Sequence, residues 1–264
     1  MSRRLEGQAA WVSGAASGIG AAVARLFAAE GARVALADVQ TYAGKQVEEQ
    51  IAASGGAAAF FPCDVSREEQ VRAAVDQVAG RFGGLHIVVN SAGIVHVGLL
   101  HEMDGGRWDH LMGVNLKSIF FSLKYAWPHL RQNPRSYMVN VGSISSFVGQ
   151  AATPAYNASK FAVLGLSRSI ALDYAAAGLR CNCVCPGITD TPMLREHLDK
   201  TGDAEATLAK RLRRVPLGKA LLPSEIARAV LYLSCEDSAG VTGTSLVVDG
   251  GYLAAAEWES SPNE

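Results

Sequence analysis

The sequence predicts an α/β protein built as one doubly wound parallel sheet of about seven strands, with helices on both faces. Three observations lead there. Short apolar runs alternate with longer segments of helical period from one end of the chain to the other. With 264 residues, 49% of them hydrophobic, the chain can bury one substantial core. No low-complexity linker or fixed-period repeat divides it, so residues 1–264 are expected to form a single domain.

Taken in order, the first apolar run, Ala9–Ser13, reads as a strand and leads through a glycine-rich turn into a helical segment at 18–30. The same unit recurs as a strand at 33–37 with a helix at 41–54, then a strand at 57–61 with a helix at 67–81. A fourth run at 86–89 precedes a broken helical stretch at 105–130, and a fifth, Ser136–Val141, precedes a helix at 154–177. The sixth run, 179–184, leads into a segment at 189–219 that interrupts the rhythm; it is long, charged, and carries Lys210, Arg211, Arg213 and Arg214. In a compact domain such an insertion is a lid over a site or a solvated helix pair. A helix at 223–234 and a strand at Ser245–Val248 close the alternation, and the polar end of the tail after Tyr252 is expected to fray.

Composition excludes several functions. The 24 Lys and Arg against 25 Asp and Glu leave a net charge of −1, so no global field recruits nucleic acid or an anionic membrane. The 27 glycines exceed the usual share of about 7% while prolines number only 9, which points to tight turns and not to disorder. Cys181, Cys183 and Cys185 share one face of a strand, and the five cysteines show neither a CxxC pair nor zinc spacing. Free core thiols in a reducing cytoplasm are the expectation. His96, His101, His110, His129 and His197 lie in different segments without a paired ligand, so no metal is expected. Arg3-Arg4 and the apolar stretch to Ala29 look superficially like an export signal, but Glu6, Gln8 and Arg25 interrupt it, and no run reaches the roughly 18 apolar residues of a membrane span.

The glycine turn, Ser13-Gly14-Ala15-Ala16-Ser17-Gly18-Ile19-Gly20, sits between strand and helix. Gly14 permits the tight turn, Gly18 and Gly20 allow close approach, and the helix start offers free N–H groups to a pyrophosphate. The second strand ends in Asp38, a carboxylate able to accept hydrogen bonds from both hydroxyls of an adenosine ribose. A 2′-phosphate would be repelled there, and Ser17, Val39 and Gln40 supply no cation to neutralise one. The expected cofactor is NAD, in a Rossmann-like fold.

The spacing of these glycines, GxxxGxG, resembles that of the short-chain dehydrogenase/reductase family, and the resemblance covers essentially the whole chain. Asp64-Val65 resembles the pair that contacts adenine, and Asn90-Ser91-Ala92-Gly93 resembles the family's Asn-Asn-Ala-Gly turn, with Ser91 as a departure. Pro186, Gly187 and Ile188, with Thr189 and Thr191 following, resemble the segment beside the nicotinamide, and Val248-Asp249-Gly250-Gly251 the closing turn. Ser13 in place of Thr and Trp11 in place of an aliphatic residue are further departures. Resemblance also implies a homo-oligomer, commonly a tetramer.

Ser143, Tyr156 and Lys160 form the candidate reactive set. Tyr156 and Lys160 are an i, i+4 pair on one helix face, and a neighbouring ammonium favours phenolate, so Lys160 makes Tyr156 a usable acid/base. Ser143 ends a strand, where its hydroxyl can hold a substrate oxygen. Asn115 resembles the family's fourth member, which positions water in a proton relay to Lys160. Singly, each has an ordinary structural role open to it: a turn former, a core aromatic, an exposed helix lysine, an amide bonded to backbone. Jointly, they imply a reaction in which hydride passes between a carbon bearing a hydroxyl and the nicotinamide while Tyr156 exchanges the proton and Ser143 stabilises the oxyanion.

The substrate is a small alcohol or ketone whose pocket would be shaped by Ile94, Val95 and His96, by Ser145, Phe147 and Gln150, and by 189–219. That last segment resembles the lids of NAD-dependent dehydrogenases of hydroxy acids and deoxy sugar acids, which implies Arg211, with Arg195 behind it, as a carboxylate ligand. Thr153 stands where some of those enzymes carry another arginine. A neutral polyol, sugar, cyclic or aromatic alcohol and a 3-oxoacyl group remain open as substrates. A sugar epimerase or dehydratase would need a larger C-terminal domain, and a non-catalytic NAD-responsive protein would not need all four residues.

Overall fold

The computed structural model describes residues 3–200 and 202–255. Seven strands, β1 (Ala9–Ser13), β2 (Arg33–Asp38), β3 (Ala57–Pro62), β4 (Ile87–Asn90), β5 (Ser136–Val141), β6 (Leu179–Pro186) and β7 (Ser245–Val248), form one sheet in the order β3-β2-β1-β4-β5-β6-β7. Every pairing is parallel. The order reverses between β1 and β4, which opens a crevice at the carboxyl ends of the central strands. The polar end of the tail, expected to fray, lies outside the described residues.

Helices α1 (Gly18–Ala29), α2 (Thr41–Ala53) and α9 (Pro223–Tyr232) bury Phe27, Ile51 and Ile226 on one face of the sheet. On the other, α3 (Glu68–Phe82), α5 (Ser118–Leu130) and α6 (Pro154–Tyr174) bury Val75, Phe121 and Val163. The period-two alternation of β1 divides between these cores: Trp11 packs in the second and Val12 in the first. In β6, Cys181, Cys183 and Cys185 face α6 together while Val184 faces the other way. All five cysteines are free and buried.

Two differences from the expected elements position the site. The sixth strand runs on to Pro186, because Cys185 and Pro186 stay in register with Val247 and Val248 of β7. The broken stretch after β4 resolves into α4 (Gly105–Met112), a π turn at Gly113–Lys117, and α5. A π turn carries an extra residue per turn and re-aims the side chains within it. Asn115 is one of them.

The 189–219 segment holds two short helices, α7 (Pro192–Asp199) and α8 (Ala204–Leu212). Thr191 caps α7 by accepting from the Leu194 N–H, and Asp203 caps α8 by accepting from the Ala206 N–H. A parallel bridge between Thr189 and Leu221 ties the base of the segment back to the chain beyond it.

Beneath the crevice, Asn90 and Asn140 are register partners, and Asn90 Nδ2 donates to Asn140 Oδ1 at 2.8 Å. Ser122 of α5 donates to Asn90 Oδ1, and Asn140 Nδ2 donates to Ser167 of α6. Asn140→Ala leaves the Asn90 amide and the Ser167 hydroxyl short of partners in a fully buried place, so it should destabilise the fold by about 1–3 kcal/mol. Thermal unfolding checks this as a Tm lowered by ~2–4 °C for each kcal/mol lost.

Candidate active site

At the end of β1 the chain makes the tightest backbone approach of the site. Gly14 has φ +68°, and a Cβ built on it would lie 2.8 Å from the Ala92 Cα and N. A Cβ on Gly20 would stand 2.1 Å from the Gly14 carbonyl oxygen. Ser13 locks the same junction, its Oγ accepting from the N–H groups of Ser91 and Ala92 at 3.2 and 3.3 Å. Ser17, the N-cap of α1, makes no side-chain capping bond, so the helix start is not claimed by its own cap. Gly18, at φ +53°, faces Thr191, whose Cγ2 lies 3.3 Å from where its Cβ would be.

Asp38 closes β2 and is buried, with Oδ2 accepting from the Ala16 N–H and Oδ1 from the Gln40 N–H. This ties the acid to the glycine turn. Asp64 follows β3; burial pushes its carboxyl up, but the Ser66 hydroxyl and N–H, with Arg67 and His110, outweigh burial and hold it below the usual carboxylate range. Gly14, Ser17, Gly18, Ile19, Gly20, Asp38, Asp64 and Val65 all line one cavity of about 1170 Å³.

The same cavity continues past Ala92 and Gly93 to Ser143 and Tyr156. Ser143 caps a 3₁₀ turn at Ile144–Ser146, its Oγ accepting from the Ser145 N–H at 3.1 Å. One turn along α6 from Tyr156, the buried Lys160 Nζ donates to the Val141 carbonyl at 2.8 Å and sits 5.6 Å from the Tyr156 ring centroid. Ser146 Oγ donates to the Lys160 carbonyl, so the 3₁₀ turn and the helix are fastened together. Asn115 Oδ1 accepts from the Ile94 N–H, while its Nδ2 donates to the Ile94 carbonyl and to Ser159 Oγ. It therefore pins the backbone next to Gly93, where a Cβ would lie 3.6 Å from Asn115 Oδ1 and 3.7 Å from Lys160 Nζ.

A family model described as enoyl-(acyl carrier protein) reductase matches residues 14–253. The 3-alpha-(or 20-beta)-hydroxysteroid dehydrogenase of Mycobacterium tuberculosis is 36% identical over 96% of this chain and 92% of its own length. The cis-4-hydroxycyclohexanecarboxylate dehydrogenase of Sinomonas cyclohexanicum is 39% identical over 92% of this chain and 95% of its own. The chain belongs to the short-chain dehydrogenase/reductase family. Among solved structures, a Beutenbergia cavernae protein described as an NAD(P)-dependent gluconate 5-dehydrogenase, with NADP bound at low occupancy, superposes with a TM-score of 0.89 at 30% identity, covering 97% of this chain and 100% of that one.

As a short-chain dehydrogenase/reductase the protein is an oxidoreductase, and its residues fit the NAD(P) that the family uses. The junction of Gly14, Gly20 and Ala92 is a cradle that a Cβ would fill, and it lies beside the uncapped start of α1. Pro186, Gly187, Ile188, Thr189 and Thr191 complete the wall across from it.

Several predicted residues lie elsewhere in this short-chain dehydrogenase/reductase. Asn90 turns into the amide pair beneath the crevice and is not on the cavity wall, although Ala92 and Gly93 of the same turn are. Ser145 is fully buried with its hydroxyl unpartnered, because the 3₁₀ turn presents Ser143 and Ile144 to the cavity and rotates Ser145 away. Arg195 is off the wall and committed to both oxygens of Asp190 at 2.8 and 2.9 Å. His96 and Phe147 are half-buried outside the wall, the latter packed against the core of the α6 face. Gln150, Thr153 and Arg211 do line the cavity.

The wall also holds His110 and Tyr252, which sequence reasoning did not assign to it, and His197, from the 189–219 segment expected to shape it. No local pattern marks them: His110 comes from α4, His197 from α7, and Tyr252 from the turn after β7. Gly20→Ala forces the turn apart against backbone, which cannot yield as a side chain would. Its expected effect is a loss of dinucleotide affinity of about tenfold or more, ~1.4 kcal/mol, read by titrating the fluorescence of NADH and NADPH.

Proposed function

We propose that this enzyme interconverts a secondary alcohol and a ketone, with NAD as the preferred cofactor and Tyr156 as the acid/base. The observation that carries the reading is the joint placement of Ser143 and Tyr156 on the cavity that Asp38 and the glycine turn also line. Bound along the glycine turn, a nicotinamide cofactor supplies the two-electron acceptor or donor. Tyr156 takes the hydroxyl proton in oxidation and returns it in reduction. Ser143 donates a hydrogen bond to the substrate oxygen and stabilises charge developing there. Lys160 places a fixed positive charge beside the Tyr156 ring, and Asn115 holds the Ile94 backbone that borders it.

NAD is preferred over NADP because the Asp38 carboxylate, buried at the end of β2, repels a 2′-phosphate. Val39 and Gln40, which share the wall with it, supply no compensating cation. The 189–219 segment acts as the substrate lid of a single domain, since Met193, Leu194 and Arg211 from its two helices face the cavity. Phe120 and Phe161, both about half exposed on α5 and α6, support self-association as a homotetramer. Five free thiols suit a reducing cytoplasm. Among the described residues no helix is long and apolar enough to cross a membrane.

Tyr156→Phe should keep dinucleotide affinity while lowering kcat by roughly 10²–10⁴. Stopped assays of reduced nicotinamide, paired with binding titration, check it; retained turnover would overturn the assignment. Asp38→Ala should reduce the NAD-over-NADP ratio of kcat/KM by on the order of tenfold or more, measured with both cofactors on one alcohol.

A further inference from the structure

The face of β6 that packs on α6 carries a pair of thiols to which the reaction gives no role. Cys183 and Cys185 are both fully buried, and their sulfurs lie 3.6 Å apart. Gly142, just past β5, makes the room for them: a Cβ built there would stand 2.8 Å from Cys183 Sγ and 3.0 Å from Cys185 Sγ. The Gly142 N–H donates to the carbonyl of Val184, the residue between the two cysteines, at 2.7 Å. Ser143 follows Gly142 directly, so the thiol pair is one peptide removed from the proposed oxyanion donor.

The other three cysteines differ. Cys181 shares the face, but its sulfur accepts from Asn140 Nδ2, and Cys235 donates to the Tyr232 carbonyl. Cys63 lines the cavity itself. Burial pushes Cys63 and Cys181 up to about 12, with Asp64 and Asp38 adding to the first. Cys183 moves the other way: the hydrogen bond from Cys185 and the Lys160 charge outweigh burial and hold it below the ordinary thiol value. The same contact, with burial, raises Cys185. A sulfur with thiolate character beside a protonated one suits attack on an oxidant by the first and resolution by the second. Gly142, Pro186 and Gly187 line the cavity, so the pair lies one layer behind its wall, within reach of a peroxide when that wall opens locally.

We propose that Cys183 and Cys185 are a redox modification site, at which a peroxide joins the two sulfurs in a reversible disulfide that shifts Ser143 and slows turnover. The Cys183 thiolate attacks one oxygen of hydrogen peroxide, the O–O bond breaks, and a sulfenic acid forms as the other oxygen leaves as water. Cys185 then loses its proton and attacks the Cys183 sulfur, forming the S–S bond and expelling the sulfenic oxygen as a second water. Two thiols are oxidised by two electrons, and one peroxide is reduced to two waters. A dithiol reductant reverses the bridge by exchange.

Cα atoms two residues apart on a strand are separated by about 6.6 Å, near the upper end of the roughly 4.4–6.8 Å that a disulfide spans. Closing the bridge therefore draws β6 together at Val184 and moves the carbonyl that holds Gly142. A bridge made against strand geometry is readily reduced, as a switch in a reducing compartment requires. The loss of turnover rests on the reading of Ser143 given above; formation of the bridge does not.

The test uses the full chain treated with excess hydrogen peroxide. Free thiols are blocked with iodoacetamide under denaturing conditions, and the sample is then reduced and labelled with N-ethylmaleimide. Trypsin cuts after Arg180 and Arg195, so one peptide carries Cys181, Cys183 and Cys185. Maleimide should appear on Cys183 and Cys185 together, with Cys181, Cys63 and Cys235 carrying the first label. Intact mass should fall by two hydrogens in wild type, whereas Cys185→Ala should gain oxygen instead. Maleimide on Cys63 alone, on Cys181 with Cys183, or on no cysteine overturns the site, and the wild-type labelling decides this even where the variant does not fold.

Turnover supplies the second readout. Bridged wild type should lose about tenfold or more in kcat and regain it with dithiothreitol. An unchanged kcat in protein shown by mass to be bridged overturns the coupling to Ser143. If no alcohol is oxidised with either NAD or NADP, the alcohol/ketone reading falls, and the labelling still decides whether the bridge forms.

Discussion

The whole site hangs on one backbone contact, the approach of the turn after β1 to the turn after β4. Gly14 and Ala92 are packed so closely that no Cβ fits between them, and Ser13 holds the two turns together through the N–H groups of Ser91 and Ala92. Because β1 and β4 are neighbours at the point where strand order reverses, this contact is also the floor of the crevice. Widening it would lift the start of α1 away from Asp38, whose carboxylate is tied to the same turn through the Ala16 N–H. Glycine is required here for steric reasons, and at Gly14 also for its positive φ.

The reactive half is held by a different means. Polar side chains buried between strands and helices, Asn90, Asn140, Ser122 and Ser167, form a satisfied chain beneath it. A buried network of this kind fixes register as well as contributing stability, since a slip of one residue would leave each amide without its partner. Lys160 is anchored at the Val141 carbonyl by the same logic, and Asn115 at both backbone groups of Ile94. The proposed chemistry thus stands beside groups whose positions are set by buried or partly buried hydrogen bonds.

Charge is sorted along the cavity. The carboxylates gather at the ends of β2 and β3, where a ribose would lie, and the cations gather on α8 and just after it. Such a gradient orients a molecule that carries an anionic end, because like-charge contact disfavours the reversed pose. The two short helices of this segment are capped and tied at its base by the bridge between Thr189 and Leu221, so the placement of the α8 cations depends on the sheet below them.

The sequence alone determined the βα alternation, the seven strands nearly to the residue, the glycine turn with its acid, and the i, i+4 pair of Tyr156 and Lys160. These are local properties: hydrophobic period, turn sterics and helical spacing are written within a few residues of one another. Tertiary structure decided which side chains reach the cavity. Arg195 and Arg211 read alike in the chain, but Asp190 takes the first and leaves the second facing the cavity. Ser143 and Ser145 are two residues apart, and only the 3₁₀ turn determines that the first lines the wall and the second is buried. His110, His197 and Tyr252 arrive from three distant elements, and no sequence period connects them because the sheet order that brings them together is set by long-range packing.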